Sequence, residues 1–141
     1  CGTGTIGIYI SSFVKKVYGI EIVEDAIKDA TYNAKVNKVD NAQFFTSDIK
    51  DFFKNSKNID KPDIVIVDPP RPGLHSEAIH DIIKLSASKI IYVSCNPSTQ
   101  ARDVSILKDN NYLIKSVQPI DMFPHTPHIE NITLLINNDK N

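Results

Sequence analysis

Apolar residues fall along this chain in short β-branched runs alternating with longer stretches of helical spacing. Val17 to Ile20 is a brief apolar run ending at Glu21, and Val23 to about Val39 follows with the periodicity of an amphipathic helix. Ala42 to Thr46 predicts the next strand, with Asp48 close behind it opening a short helix to about Lys54. Residues 55–61 are a polar loop without the marks of a domain boundary. Asp63 to Val67 is almost wholly β-branched and apolar, the pattern of a central parallel strand buried on both faces. A helix over Glu77–Ser86, a strand over Lys89–Ser94, a helix from Thr99 to about Asn110 and a strand over Tyr112–Gln118 come next. Ile129–Ile136 is a last strand that can pair with the one before it as an antiparallel hairpin, leaving a polar, frayed tail from Asn137 to Asn141. Such alternation predicts an α/β sheet with helices on both faces.

The chemistry gathers where strands end, which is where open α/β sheets bind ligands. Cys95 stands directly after the strand Lys89–Ser94, with Pro97 and Ser98 ending the strand and starting a helix. A thiol there can act as a nucleophile if a helix N-terminus or a cation favours its thiolate; it can equally be a small buried hydrophobe. Cys1-Gly2-Thr3-Gly4-Thr5-Ile6-Gly7, followed by apolar Ile6, Ile8, Tyr9, Ile10 and Phe13, predicts a tight turn into a helix whose free N–H groups, around Gly2 and Gly4, can face a carboxylate or phosphate. A purely structural turn fits that stretch about as well. Glu21, some twenty residues after the glycines at the end of a strand, has the spacing of an acid that hydrogen-bonds a ribose diol, against the alternative of a solvated surface acid. Asp48 is either a helix N-cap or an acceptor for an adenine amino group. Asp68-Pro69-Pro70-Arg71-Pro72-Gly73 is a stiff loop that pins Asp68 and Arg71 at the sheet's carboxyl edge.

Bulk properties narrow the field. A chain of 141 residues is the size of one domain, and a formal net charge of −1 argues against gripping a polyanion through bulk electrostatics, so nucleic-acid affinity would need a local patch or another domain. Its two cysteines, Cys1 and Cys95, are far apart and lack metal-ligand spacing, which argues against a disulfide framework or a zinc site and for a reducing cytoplasm. There is no apolar run of membrane-spanning length and no signal peptide. Because the chain opens on Cys1 inside the glycine motif, it reads as a fragment that lacks the strand preceding that turn. A terminal antiparallel hairpin on a mostly parallel sheet points to the S-adenosylmethionine-dependent methyltransferase version of the Rossmann-like, doubly wound fold.

Four stretches together resemble the RNA uracil-5-methyltransferases, which methylate C5 of uridine in tRNA or rRNA, and the resemblance covers essentially the whole chain as their C-terminal catalytic domain. They are the glycine loop Cys1–Gly7, Asp68-Pro69-Pro70-Arg71-Pro72-Gly73-Leu74, Tyr92-Val93-Ser94-Cys95-Asn96-Pro97 with Ala101-Arg102-Asp103, and Asp121-Met122-Phe123-Pro124-His125-Thr126 with His128 and Glu130. The first is common to many methyltransferases; the other three together are specific. The resemblance implies that Thr5, Glu21, Asp48 and Asp68 contact S-adenosylmethionine, that Cys95 is the nucleophile and that Glu130 accepts a proton. It also implies an RNA substrate, held mainly by N-terminal parts outside this sequence, which in some members include an iron–sulfur cluster.

In that chemistry a thiolate adds to uracil C6 so that C5 becomes nucleophilic, and a base later removes the C5 proton. Glu130 could otherwise be an ordinary strand acid. Arg71 and Arg102 are candidates for a phosphate or a uracil carbonyl, with exposed ion pairs as the alternative. His125 and His128 fit loop packing or RNA contact better than metal binding, since two histidines without a third ligand make a poor site. Two rival functions stand beside this one. A methyltransferase of exocyclic amino groups would carry an aromatic residue where Arg71 stands, and a non-catalytic RNA-binding relic would have lost Cys95 or Glu130.

Overall fold

The computed structural model describes residues 1–49, 51–52, 60–122, 124–126 and 128–140. The chain divides into two compact units, Cys1–Lys57 and Asn58–Asn141. The first begins with a short helix α1 (Thr5–Ile10) and a 3-10 turn at Ser11–Phe13, followed by strand β1 (Val17–Glu21), helix α2 (Glu24–Val36) and strand β2 (Ala42–Thr46). β1 and β2 pair in parallel from Val17↔Ala42 to Glu21↔Thr46, a register that brings both carboxyl ends level. α2 buries Ile27, Ala30 and Ala34, a helical stripe whose alanines leave room for the glycine turn above them.

α1 departs from the expected apolar helix. It is six residues long and has no buried side chain, and Tyr9 and Phe13 stand 75% and 76% exposed with their rings 6.2 Å apart. The helix opened by Asp48 is begun by the bond from Phe52 N–H to the Asp48 carbonyl at 2.9 Å. Its end near Lys54, and most of the loop expected over 55–61, lie outside the described residues.

The second unit contains β3 (Ile64–Val67), α3 (Ser76–Leu85), β4 (Lys89–Ser94), α4 (Pro97–Lys108), β5 (Tyr112–Ile120) and β6 (Glu130–Asn137). Their sheet has the order β3-β4-β6-β5. β3 and β4 are parallel, whereas β6 runs antiparallel to both β4 and β5. The predicted terminal hairpin is present, and its second strand lies against β4, so the chain re-enters the sheet beside the strand that leads to Cys95. Among the described residues the pairings are two parallel and two antiparallel, in two sheets rather than one. The core joins Ile79 and Ile82 of α3, Ile90 and Tyr92 of β4, Val104 and Leu107 of α4, and Leu135 of β6.

The expectation for β3 needs correction. It is an edge of this four-stranded sheet, paired with β4 alone among the described residues, and Ile64 is 41% exposed. A β-branched run reports that a strand packs well on its faces, and says nothing of whether both edges are paired. No described helix is long and apolar enough to cross a membrane.

Candidate active site

The turn that carries Cys95 is built by its neighbours. Ser94 Oγ donates to the Asn96 carbonyl at 3.1 Å and accepts from the Asn96 N–H at 3.0 Å, which closes the strand end into a tight loop. Asn96 then caps α4, its side-chain oxygen accepting from the Ser98 N–H at 3.1 Å with Pro97 in the first turn. α4 therefore starts at Pro97 rather than Thr99, because the cap is Asn96. Cys95 is partly buried and unbridged, one residue ahead of that cap and of the twelve-residue α4.

The proline–arginine loop is tied to this turn at several points. The Arg71 carbonyl accepts from Asn96 Nδ2 at 3.2 Å and from Thr99 Oγ1 at 3.0 Å. Lower in the loop, Asp103 is completely buried and accepts four bonds. Tyr92 Oη and the Leu74 N–H donate to one oxygen at 2.6 and 2.7 Å, while Arg102 donates to the other through Nε at 2.8 Å and Nη2 at 2.6 Å. Burial, reinforced by the Asp103 bond, pushes the Tyr92 phenol far above its ordinary pKa, so it remains a donor. Gly73 lies over this carboxylate at φ +81°, where a Cβ would meet Asp103 Oδ2 at 2.6 Å.

Arg102 also donates through Nη2 to the carbonyls of Pro72 and Leu74 at 3.0 and 3.2 Å. Its Nε and Nη2 brace the loop and pair with Asp103 from a side chain that is 53% exposed, which is the ion-pair alternative expected of it. Arg71 instead presents its guanidinium to His128, with Nη2 at 3.1 and 3.2 Å from the two ring nitrogens. Asp68 precedes the loop, and burial raises its pKa. His125 sits on the exposed loop in left-handed backbone at φ +69°.

The register of β4 and β6 relates Cys95 to Glu130. Its last pair is Ser94↔Asn131, so the next residue on each chain is Cys95 on one and Glu130 on the other. Opposed residues of an antiparallel ladder stand about 4.5–5.5 Å apart at Cα and share a face. The thiol and the carboxylate are thereby carried to the same end of two neighbouring strands.

Asp103 and Gln100 had no role assigned from the sequence, although a signal was present. Gln100, Asp103, Val104 and Leu107 are the buried residues of α4, spaced as one helical stripe. Two polar residues on a core stripe must find partners, and both do.

In the first unit the glycine turn is held by a carboxylate. Glu21 Oε2 accepts from the nitrogens of Cys1 and Gly2 at 2.9 and 3.0 Å, and Oε1 from the N–H groups of Ile22 and Val23 at 2.9 and 3.3 Å. The Gly2 bond does most to lower its pKa to about 2; partial burial opposes this, and the Cys1 nitrogen and the Val23 N–H assist. Gly4 caps α1 at φ +84°, and a Cβ there would come within 3.0 Å of Ala30 Cβ and 3.1 Å of the Phe44 ring. Thr5 opens α1 with its hydroxyl 3.5 Å from that of Thr3. Asp48 follows the end of β2, next to the strand that ends in Glu21. An ionised carboxylate, a second acid on the adjoining strand end and a turn with glycine at positions 2 and 4 make a donor and acceptor set that fits a nucleoside with a diol and an exocyclic amine.

Solved structures place this fold among the methyltransferases. A Pyrococcus abyssi tRNA (uracil-54, C5)-methyltransferase, crystallised with S-adenosyl-L-homocysteine, aligns with a TM-score of 0.81 and 39% identity over 96% of this chain and 32% of its own. An rRNA methylase from Streptococcus thermophilus, 15% identical, shares the fold with a TM-score of 0.72 over 96% of this chain and 81% of its own. The family model for tRNA (uracil-5-)-methyltransferase matches residues 1–138, and the chain belongs to that family. Relatives named uncharacterized RNA methyltransferases include one from Chlamydia trachomatis, 46% identical over 96% of this chain and 34% of its own length. One from Clostridium tetani is 46% identical over 99% of this chain and 30% of its own. The chain thus spans about a third of the length of these relatives.

Proposed function

We propose that this chain is the catalytic domain of an enzyme that methylates C5 of a uridine in RNA through a covalent bond between Cys95 and C6, with RNA-binding parts on other segments of the protein. The observation that carries it is the register of β4 and β6. C5 and C6 of uracil are bonded to each other, so a nucleophile for one and a base for the other must reach adjacent ring atoms, and Cys95 and Glu130 stand at the same end of neighbouring strands.

S-adenosylmethionine would supply an electrophilic methyl group, held in the first unit by Glu21 at the ribose diol, Asp48 at the adenine amine, Thr5 and the Gly2–Gly4 turn. The diol would have to share a carboxylate already bonded to four nitrogens. Cys95 Sγ bonds to C6, and the C5=C6 pair moves onto C5 and the adjoining carbonyl as an enolate. After C5 is methylated, Glu130 takes the C5 proton, the pair re-forms C5=C6, and the C6–S bond breaks to return the thiolate. Arg71, with Nη2 against the His128 ring, is assigned to a phosphate or a uracil carbonyl, and exposed His125 to RNA contact.

RNA carrying 5-fluorouridine at the target has no C5 proton to lose, so the enzyme should be trapped as an adduct. Peptide mapping should find it on Cys95. An adduct on Cys1, or one that persists in Cys95→Ala, would refute the assignment.

A further inference from the structure

Gln100 is 2% exposed, and its amide joins the two strands that carry the reacting groups. Nε2 donates to the Tyr92 carbonyl of β4 at 2.8 Å and to the Asn131 carbonyl of β6 at 3.1 Å. Asn131, also buried, returns a bond from its Nδ2 to Gln100 Oε1. Tyr92 lies three residues before Cys95, and Asn131 directly follows Glu130. One amide on α4 therefore fastens both backbones at the end where thiol and carboxylate emerge.

The geometry points to Gln100, acting through Asn131, as the positioning residue that sets Glu130 against Cys95; this rests on the roles given to those two residues above. The clasp bears unequally on its two strands. The Cys95 turn is held independently by the Ser94–Asn96 bonds, the cap on Ser98 and the Asn96 bond to the Arg71 carbonyl. Glu130 is the first residue of β6, and its described partner on the other side is Ile120 at the end of β5. Loss of the clasp should displace the base more than the nucleophile, so proton removal should suffer and addition to C6 should not. A Gln100 that only satisfied buried polar groups would affect both steps through stability alone.

The variant Gln100→Glu keeps size and the Oε1 acceptor but cannot donate to either carbonyl. In the complete protein, two rates separate the possibilities: capture by 5-fluorouridine RNA, which needs Cys95 but not the base, and multiple turnover on uridine RNA, which needs both. Capture should remain close to that of the unmutated enzyme while turnover falls about 100-fold, the scale of an ångström's misplacement, with protein–RNA adduct accumulating. Asn131→Ala, which leaves both bonds from Gln100 Nε2 in place, should show the same split with a smaller loss, about tenfold. It decides the matter if Gln100→Glu does not fold, with melting temperatures measured alongside. Parallel loss of capture and turnover, or unchanged turnover in a folded variant, would overturn the proposal. Absence of capture by the unmutated enzyme would instead overturn the assignment of Cys95, and this inference with it.

Discussion

Gly73 and Glu21 each hold a loop that the site depends on, by opposite means. Gly73 works through what it lacks, since a methyl group would enter the Asp103 carboxylate and the backbone is already left-handed at φ +81°. Gly73→Ala should cost at least about 1–2 kcal/mol from backbone strain alone, readable by denaturant titration. Tyr92→Phe removes a bond to the same buried carboxylate and should cost about 1.5–3 kcal/mol in that assay. Glu21 works through charge. Its carboxyl titrates at about 2 in the folded chain against an ordinary 4.5, so the folded state binds fewer protons than the unfolded state between those values. The stabilisation it gives the glycine turn is complete above about pH 4.5 and drains away as the pH falls toward 2. A carbon-detected NMR titration of Glu21 should place its midpoint well below that of the surface acids; an ordinary midpoint would mean the turn is not held this way.

At the scale of elements, the turn between β4 and α4 ties the backbone beside Cys95 to the Arg71 loop. Asn96→Ala removes the helix cap, worth about 1 kcal/mol, and the bond to the Arg71 carbonyl. It should lower the melting temperature and slow capture of 5-fluorouridine RNA together, because it disturbs both the backbone beside Cys95 and the loop that bears Arg71. Much of this element order is legible from hydrophobic spacing. β2 and β4 have the predicted limits, and β5 and β6 form the predicted hairpin, with shifts of one or two residues at their ends. Spacing does not report edge pairing, so the pattern of β3 predicts a central strand where this sheet has an edge. It also overstated α1, because apolar residues at helical intervals do not guarantee a surface to bury them. The candidate residues Cys95 and Glu130 stand out in the sequence, one directly after β4 and the other at the start of β6, and their supports stand out less. Arg102, Asp103 and Gln100 act through bonds to carbonyls and N–H groups distant in sequence, and residue type alone does not reveal such partners.

Across the whole molecule, the proposed cofactor residues Gly2, Gly4, Thr5, Glu21 and Asp48 lie in the first unit, and Cys95, Glu130 and the Asp68–Arg71 loop in the second. β1 pairs with β2 alone, and β3 with β4 alone, among the described residues. An unpaired strand edge is a place for another strand, and the chain spans about a third of its relatives. Residues 1–141 by themselves should therefore bind S-adenosylmethionine much more weakly than the complete protein, by calorimetry; equal affinities would show that no further strand is needed. The division of labour between Cys95 and Glu130 is open to a more direct trial with ordinary uridine RNA and S-adenosylmethionine labelled in its methyl group. In Glu130→Gln the complete protein should accumulate a covalent RNA adduct that carries the label, since addition and methylation proceed but elimination stalls, whereas Cys95→Ala should form none. Turnover by Glu130→Gln near the rate of the unmutated enzyme, without adduct, would contradict the assignment and send the search for the base to Asp121 or His125.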